Sequence, residues 1–273
     1  GDSIIAMRML PVLSSGVVIF MTGLIARELG GGRFAMMLSA VAAFAHIGNF
    51  FMYSFYSMNF LDQLFWLALI YLFIIIIKTD NPELHKKYWL IFGIVAGIGL
   101  QNKISVLFIA FAIFVGLVLT PYRFHLKNKY LWFGAGIAAL IFLPYIIWNM
   151  VNDWPTLEFM RNAKAIKMSR VTPLEFLNHQ ITHASFVNVL TWPVGLIFFL
   201  FHKPAKPYRI FGIMFVALFL LMMVQQAKAY YMAGIYPLLF AGGAVMWETW
   251  LSKNWKKYLR PVLALSIIVP TFL

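Results

Sequence analysis

Apolar stretches of helix length recur along the whole 273-residue chain, at approximately 9–26, 34–53, 60–78, 88–102, 104–121, 130–151, 188–201, 210–227, 230–248 and from 261 onward. Most come close to the roughly 20 residues that carry an α-helix across a bilayer, and none shows the alternating segments of about ten residues that mark a transmembrane barrel. Backbone groups in lipid find no water, so helices that satisfy their own hydrogen bonds are the remaining solution. Composition agrees, with 62% hydrophobic and 11% charged residues and a mean hydropathy of +0.82, beyond the range of water-soluble domains. The expected fold class is all-α: a polytopic transmembrane helical bundle of about ten spans, forming one domain over 1–273. Cysteine is absent, which rules out disulfides and thiol catalysis.

The stretch 88–121 is the hard one to divide. A single helix there would reach about 50 Å at 1.5 Å per residue, against a hydrocarbon core of about 30 Å, and would strand Lys103 near the bilayer centre. Two helices turning at Gln101-Asn102-Lys103 remove both problems. This division also gathers roughly two thirds of the 22 Lys and Arg residues on one side, including Arg27, Arg33, Lys78, Lys86, Lys87, Arg123, Lys127 and Lys129, and by the positive-inside rule that side is cytoplasmic. Asp62, Lys103 and Lys228 then face outside. The net charge of +13 is read as loop charge of this kind and not as affinity for nucleic acid. One long outer segment, 152–187, carries Trp154-Pro155, a basic run from Arg161 to Arg170, and Thr172-Pro173-Leu174-Glu175, a helix-start pattern. It is expected to form short amphipathic helices on the outer face. Pro144 and Pro237 predict kinks in their spans.

Asp62 is the one acid that must lie at or in the edge of an apolar span, in Ser57-Met-Asn-Phe-Leu-Asp62, and ionisable groups there are costly enough to point to function. The competing account is local: Asn59 caps the helix and Asp62, at its third position, complements the dipole. Lys103 and Lys228 share its face. In Gln225-Gln226-Ala227-Lys228-Ala229-Tyr230-Tyr231, a compact ammonium beside Tyr230 and Tyr231 suits a phosphate next to a sugar or isoprenoid. Against this stands simple snorkelling of a lysine toward water. His46 and Asn49 read as a hydrogen-bonded interhelical pair. His179 and His183 have a metal-compatible i, i+4 spacing, but no third ligand is placed, so no metal site is assigned. Gly30-Gly31-Gly32 is a tight turn between helices; the Lys-Ser/Thr ending of a phosphate loop is missing.

The blocks Ile5-Ala-Met-Arg8-Met-Leu-Pro, Leu24-Ile-Ala-Arg-Glu-Leu-Gly-Gly-Gly-Arg-Phe34, Ser57 to Asp62, Gly97-Ile-Gly-Leu-Gln-Asn-Lys103 and Lys228-Ala-Tyr-Tyr-Met-Ala-Gly-Ile-Tyr-Pro237 together resemble the GT-C membrane glycosyltransferases. Within them they are similar to bacterial relatives of dolichyl-phosphate-mannose protein mannosyltransferases and aminoarabinose lipid A transferases. The resemblance implies a multi-pass enzyme of the plasma (inner) membrane that moves a sugar from a polyprenyl-phosphate donor to an extracytoplasmic lipid, glycan or protein acceptor, with inversion. It implies that Asp62 matches a second family acid and is a catalytic candidate. Lys103, Lys228 and Arg8 are grouped as donor-phosphate ligands, with Tyr230, Tyr231 and Asn59 as sugar or lipid contacts. The family's principal acid lies in a first outer loop. This chain opens at Gly1-Asp2-Ser3 and stops inside an apolar run, so both ends read as cuts through a longer protein, Asp2 is not assigned that acid's role, and the stretch alone is expected to be inactive. No nucleotide is required, no cofactor is assigned while a divalent cation stays open, and membrane lipids are the remaining partners. The rival functions are a transporter or lipid flippase, which predicts paired repeats and helices broken near the midplane, and a non-catalytic envelope scaffold.

Overall fold

Helix ends decide where this chain turns. The computed structural model describes residues 3–166, 171–183, 186–252 and 254–272; Asp2, Lys167, Arg170 and Lys253 lie outside the described residues. In order, the helices are α1 (Ile4–Glu28), α2 (Arg33–Phe44), α3 (Ile47–Tyr53), α4 (Met58–Lys78), α5 (Pro82–Asn102), α6 (Val106–Leu119), α7 (Lys129–Val151), α8 (Pro155–Ile166), α9 (Pro173–His183), α10 (Trp192–Phe201), α11 (Arg209–Val224), α12 (Tyr236–Trp250) and α13 (Arg260–Ile268). Short 3-10 turns join several of them, and no strand occurs among the described residues. Asn81 and Asn128 accept the first free N–H groups of α5 and α7, as good N-caps do. Gly30, at φ +94°, makes the turn after α1, a conformation glycine adopts without steric cost.

The break expected at Gln101-Asn102-Lys103 is present: α5 stops at Asn102 and α6 starts at Val106. Other runs divide differently from expectation. The span 34–53 is two helices bent by 60° after Phe44. Pro237 does not kink a span over 230–248; it sits in the first turn of α12, after a 3-10 turn at 229–232, the position where its missing N–H costs nothing. Helix α7 runs unbroken through Pro144. Among the described residues, four segments can cross a membrane alone by length and composition, or up to six if bent pairs count as spans. The expected ten is not reached on this measure: helices such as the 10-residue α10 and the 9-residue α13 are too short, and the 21-residue α5 is long enough but does not qualify by composition.

Burial sorts the long helices. Helix α4 is central, with 56% of its apolar window buried, while α7 is peripheral at 6%, turning Trp132, Leu140 and Trp148 outward. Without a hydrophobic drive between helices in lipid, close backbone approach supplies the attraction. On the α10–α12 contact, a Cβ on Gly195 would lie 1.9 Å from the Leu239 carbonyl oxygen, and one on Gly243 would lie 2.2 Å from that of Thr191. A long-range contact closes the bundle elsewhere: the Glu248 carboxylate, from α12, accepts from the backbone N–H groups of Gly32, Phe34 and Ala35 at the start of α2. The segment 171–183 follows the pattern read from its sequence. Glu175 accepts from the Thr172 N–H at 2.7 Å while Thr172 Oγ1 accepts from the Glu175 N–H at 3.2 Å, a capping box. Buried Phe176 meets Phe219 at 5.3 Å. The backbone and side-chain hydrogen bonds from Thr172 hold the Glu175 carboxyl below its ordinary range, so its contribution is present above the ordinary carboxylate pKa and fades as pH falls through the depressed value.

The glycine contact yields a direct test. Gly195→Ala should destabilise the protein by about 1–3 kcal/mol, the cost of overpacking, whereas Gly136→Ala, with nothing within 4 Å of the added carbon, should leave the melting temperature in detergent unchanged. Equal melting temperatures for the two variants would contradict the packing described.

Candidate functional site

Ser57, not Asn59, is the N-cap of α4: its side chain accepts from the Asn59 N–H at 3.3 Å. The helix begins at Met58, so Asp62 is its fifth residue instead of its third, and no acid lies in the first turn. Dipole effects fall off within that turn, which weakens the capping account of Asp62. The carboxylate instead faces the α5–α6 break. Its Oδ2 accepts from Lys103 Nζ at 2.8 Å, and its Oδ1 accepts from the Ser105 hydroxyl. Lys103 Nζ also donates to Asn59 Oδ1 at 3.0 Å. Both members of the pair are largely shielded, with side-chain exposures of 13% and 9%. Helix α5 ends here in an extended Lys103, and Asn102 Nδ2 fastens the break to α4 by donating to the Met58 carbonyl at 3.0 Å.

Above the ammonium lie two aromatic rings. Lys103 Nζ is 5.9 Å from the Tyr230 centroid and 5.4 Å from that of Tyr231, and the two rings meet edge to face at 4.6 Å. Geometry of this kind gives a cation–π contribution. The turn that carries the tyrosines is held down from below. Gln63 Nε2 donates to the Ala233 carbonyl at 3.1 Å and to Asn49 Oδ1 at 3.0 Å, and Tyr53 OH donates to Gln63 Oε1 at 2.6 Å. Asn49 Nδ2 donates to the Ala43 carbonyl at 2.8 Å, and His46 Nδ1 lies 3.2 Å from Asn49 Oδ1. The His46–Asn49 pair is thus present but lies within the first turn of α3, where His46 is the N-cap; Asn49 reaches across the break to Ala43, and Gln63 ties the pair to α4. From the other side, Gln180 Nε2 donates to the Ala229 carbonyl at 3.4 Å while its Oε1 accepts from Tyr236 OH at 2.7 Å.

Asp62, Lys103, Asn59, Tyr230 and Tyr231 are therefore brought together. Lys228 is exposed at the head of the tyrosine turn and Arg8 is exposed on α1; neither joins the cluster. Ser105, Gln63 and Tyr53 were missed from sequence, although Gln63 beside Asp62 and Ser105 beside Lys103 were polar interruptions in apolar runs. Among the described residues no group of three or more His, Asp or Glu is placed to hold a metal ion. Chemically, the cluster holds one carboxylate with both oxygens engaged and one ammonium with two of three protons committed, leaving a donor beneath two flat rings.

The arrangement of helices has counterparts of known structure. ArnT from Cupriavidus metallidurans in the apo state superposes with a TM-score of 0.72 at 14% identity, over 96% of this chain and 48% of that one. The Archaeoglobus fulgidus oligosaccharyltransferase, in complex with Zn and sulfate, superposes with a TM-score of 0.57 at 17% identity, over 97% and 40%. This chain spans about half the length of the first and less of the second. Identities so low speak to fold alone, and the fold is that of the GT-C membrane glycosyltransferases. The model of the dolichyl-phosphate-mannose-protein mannosyltransferase family matches residues 1–148, and the chain belongs to that family. No curated protein matches by sequence.

Removing one member of a shielded ion pair leaves the other charge uncompensated. Lys103→Met alone should cost about 3–5 kcal/mol, and combining it with Asp62→Leu should recover most of that loss. Thermal unfolding of both single variants and the double variant gives the coupling; additive losses would show that the pair is not a unit.

Proposed function

We propose that this chain is the transmembrane part of a glycosyltransferase that moves a sugar from a polyprenyl-phosphate donor to an acceptor on the extracytoplasmic face, with inversion. Family membership and fold support the reaction class. The observation that carries the rest is the Asp62–Lys103 pair, topped by Tyr230 and Tyr231, at the end of the bundle away from most of the basic loops. In inverting transfer a base takes the acceptor hydroxyl's proton, the oxygen attacks the anomeric carbon, and the phosphate leaves with the electron pair of the broken bond. Cations set in place beforehand lower the barrier by meeting the charge on the departing phosphate. Lys103 supplies its remaining donor, and exposed Lys228 and Arg8 are the other cations proposed to reach the phosphate. The tyrosine faces receive the sugar or the first isoprene unit.

Asp62 has a narrower role in this scheme than that of a base. A carboxylate already accepting from an ammonium and a hydroxyl is poorly placed to take a further proton; it aims Lys103 at the phosphate and keeps it from swinging to water. The proton acceptor is then another carboxylate. A transporter would also tolerate the bend between α2 and α3, yet the polar groups there are spent on one another through Asn49, Gln63 and Tyr53, which leaves little to bind a solute.

In the full-length protein, Asp62→Asn should fold and lose on the order of 10²-fold in transfer from a polyprenyl-phosphate sugar, the scale of an electrostatic participant. The shape of its pH–rate profile should be retained, since the base is intact. Loss of the acidic limb, where a required base becomes protonated, would make Asp62 the base after all, and unchanged transfer would return it to a structural role.

A further inference from the structure

Some 16 residues along α4 from Asp62, about 24 Å at 1.5 Å per residue, a second polar site lies at the opposite end of the bundle. A pocket of about 460 Å³ opens between the end of α4, the start of α5 and the turn leading into α7. His85 and His125 line it with their rings stacked at 5.1 Å and 17°. The Asn128 amide is oriented by its oxygen, which accepts from the Tyr130 N–H at 2.9 Å, so its nitrogen must donate to His85 Nδ1 at 3.0 Å. That places the His85 proton on Nε2, where it is a donor. His125 is only 3% exposed, and neither of its ring nitrogens has a hydrogen-bond partner among the described residues. Buried polar groups are ordinarily satisfied, and an exception calls for an explanation.

Two fixed charges complete the lining. Asp80 and Lys129 both face the pocket, yet the ion pairs among the described residues are Glu28 with Arg27 and Lys78, and Asp62 with Lys103. Lys129 is the first residue of the 23-residue α7, so the positive end of that helix dipole adds to its side. The pocket therefore presents donors and positive potential on one side and an unpaired carboxylate on the other. Its remaining wall is apolar, with Ile76, Ile77 and Phe124, where α4 leaves its apolar run.

We propose that this pocket binds the zwitterionic phosphoethanolamine head group of a membrane phospholipid, with the phosphate on His125, His85 and Lys129 and the ammonium on Asp80. A phosphate alone would satisfy the first group and be repelled by the carboxylate. A glycerol head group would leave Asp80 without a cation. The bound head group supplies the partner that buried His125 lacks, and the apolar wall takes the upper part of the acyl chains.

The test uses the full-length protein in nanodiscs of phosphatidylglycerol containing a graded fraction of phosphatidylethanolamine, with retained lipid counted by native mass spectrometry. Phosphatidylethanolamine should be retained in preference by about tenfold, the worth of one hydrogen bond to a charged group. Asp80→Asn should abolish that preference while retention of phosphatidylglycerol persists. His125→Phe should lose retention of both lipids, and Lys129→Gln, at an exposed position, should weaken both without a change in melting temperature. Millimolar inorganic phosphate should not displace the lipid. Equal retention of the two lipids, an unchanged preference in Asp80→Asn, or displacement by inorganic phosphate would each overturn the proposal.

Discussion

An ammonium held at a helix break inside a membrane protein has to be met by a charge of opposite sign, and the meeting of Lys103 with Asp62 organises the rest of this fold. The two residues are 41 positions apart, on α4 and at the end of α5. Their pairing requires α5 to stop where it does and α6 to restart after Ser105, whose hydroxyl completes the carboxylate's hydrogen bonds. Burying such a pair contributes little net stability, because desolvation offsets the attraction. What it provides is register: only one rotation of α4 presents Asp62 to the break, and that same rotation turns Gln63 toward Asn49 and the Ala233 carbonyl.

The features legible in sequence were those set by distance or local chemistry. Lys103 marks a helix break because a continuous helix over 88–121 would exceed the bilayer, and Thr172-Pro173-Leu174-Glu175 marks a helix start by Pro173 at the first position and Glu175 in the first turn. Topology groups Asp62, Lys103 and Lys228 on one face, with Tyr230 and Tyr231 beside Lys228; the structure brings Asp62, Lys103 and the two tyrosines together and leaves Lys228 exposed. Long-range partners left no local trace: Ser105 and Gln63 acquire their roles from residues 43 and 170 positions away. A two-residue error in the cap, Asn59 for Ser57, was enough to move Asp62 into the wrong turn of the helix. Pro237 looked like a kink because the apolar run passes through it. The chain in fact unwinds into a 3-10 turn first, and the proline then starts α12. The runs 34–53 and 188–201 contain breaks that hydropathy does not register.

The two ends of the bundle handle polar groups in opposite ways. At the Asp62 end the charges are paired and the amides interlocked, so the site is rigid before anything binds, the condition that electrostatic catalysis requires. At the His125 end a buried imidazole and two opposite charges stand without mutual partners, and the environment is left to complete them. The first arrangement suits a group that must hold position through repeated turnovers; the second suits a resident that stays.

The Glu248 contact bears on how the molecule is assembled. The start of α2 has no side-chain cap of its own, and the carboxylate that serves its N–H groups comes from a residue 216 positions later. Helices enter the membrane in the order of synthesis, so α2 is in place long before α12 arrives. During that interval its open end depends on water, and α1 and α2 pack against a neighbour not yet made. Closing so distant a contact is slow compared with local helix formation. Until α12 has been made, the start of α2 has no side-chain acceptor for its N–H groups, and this contact can close only then.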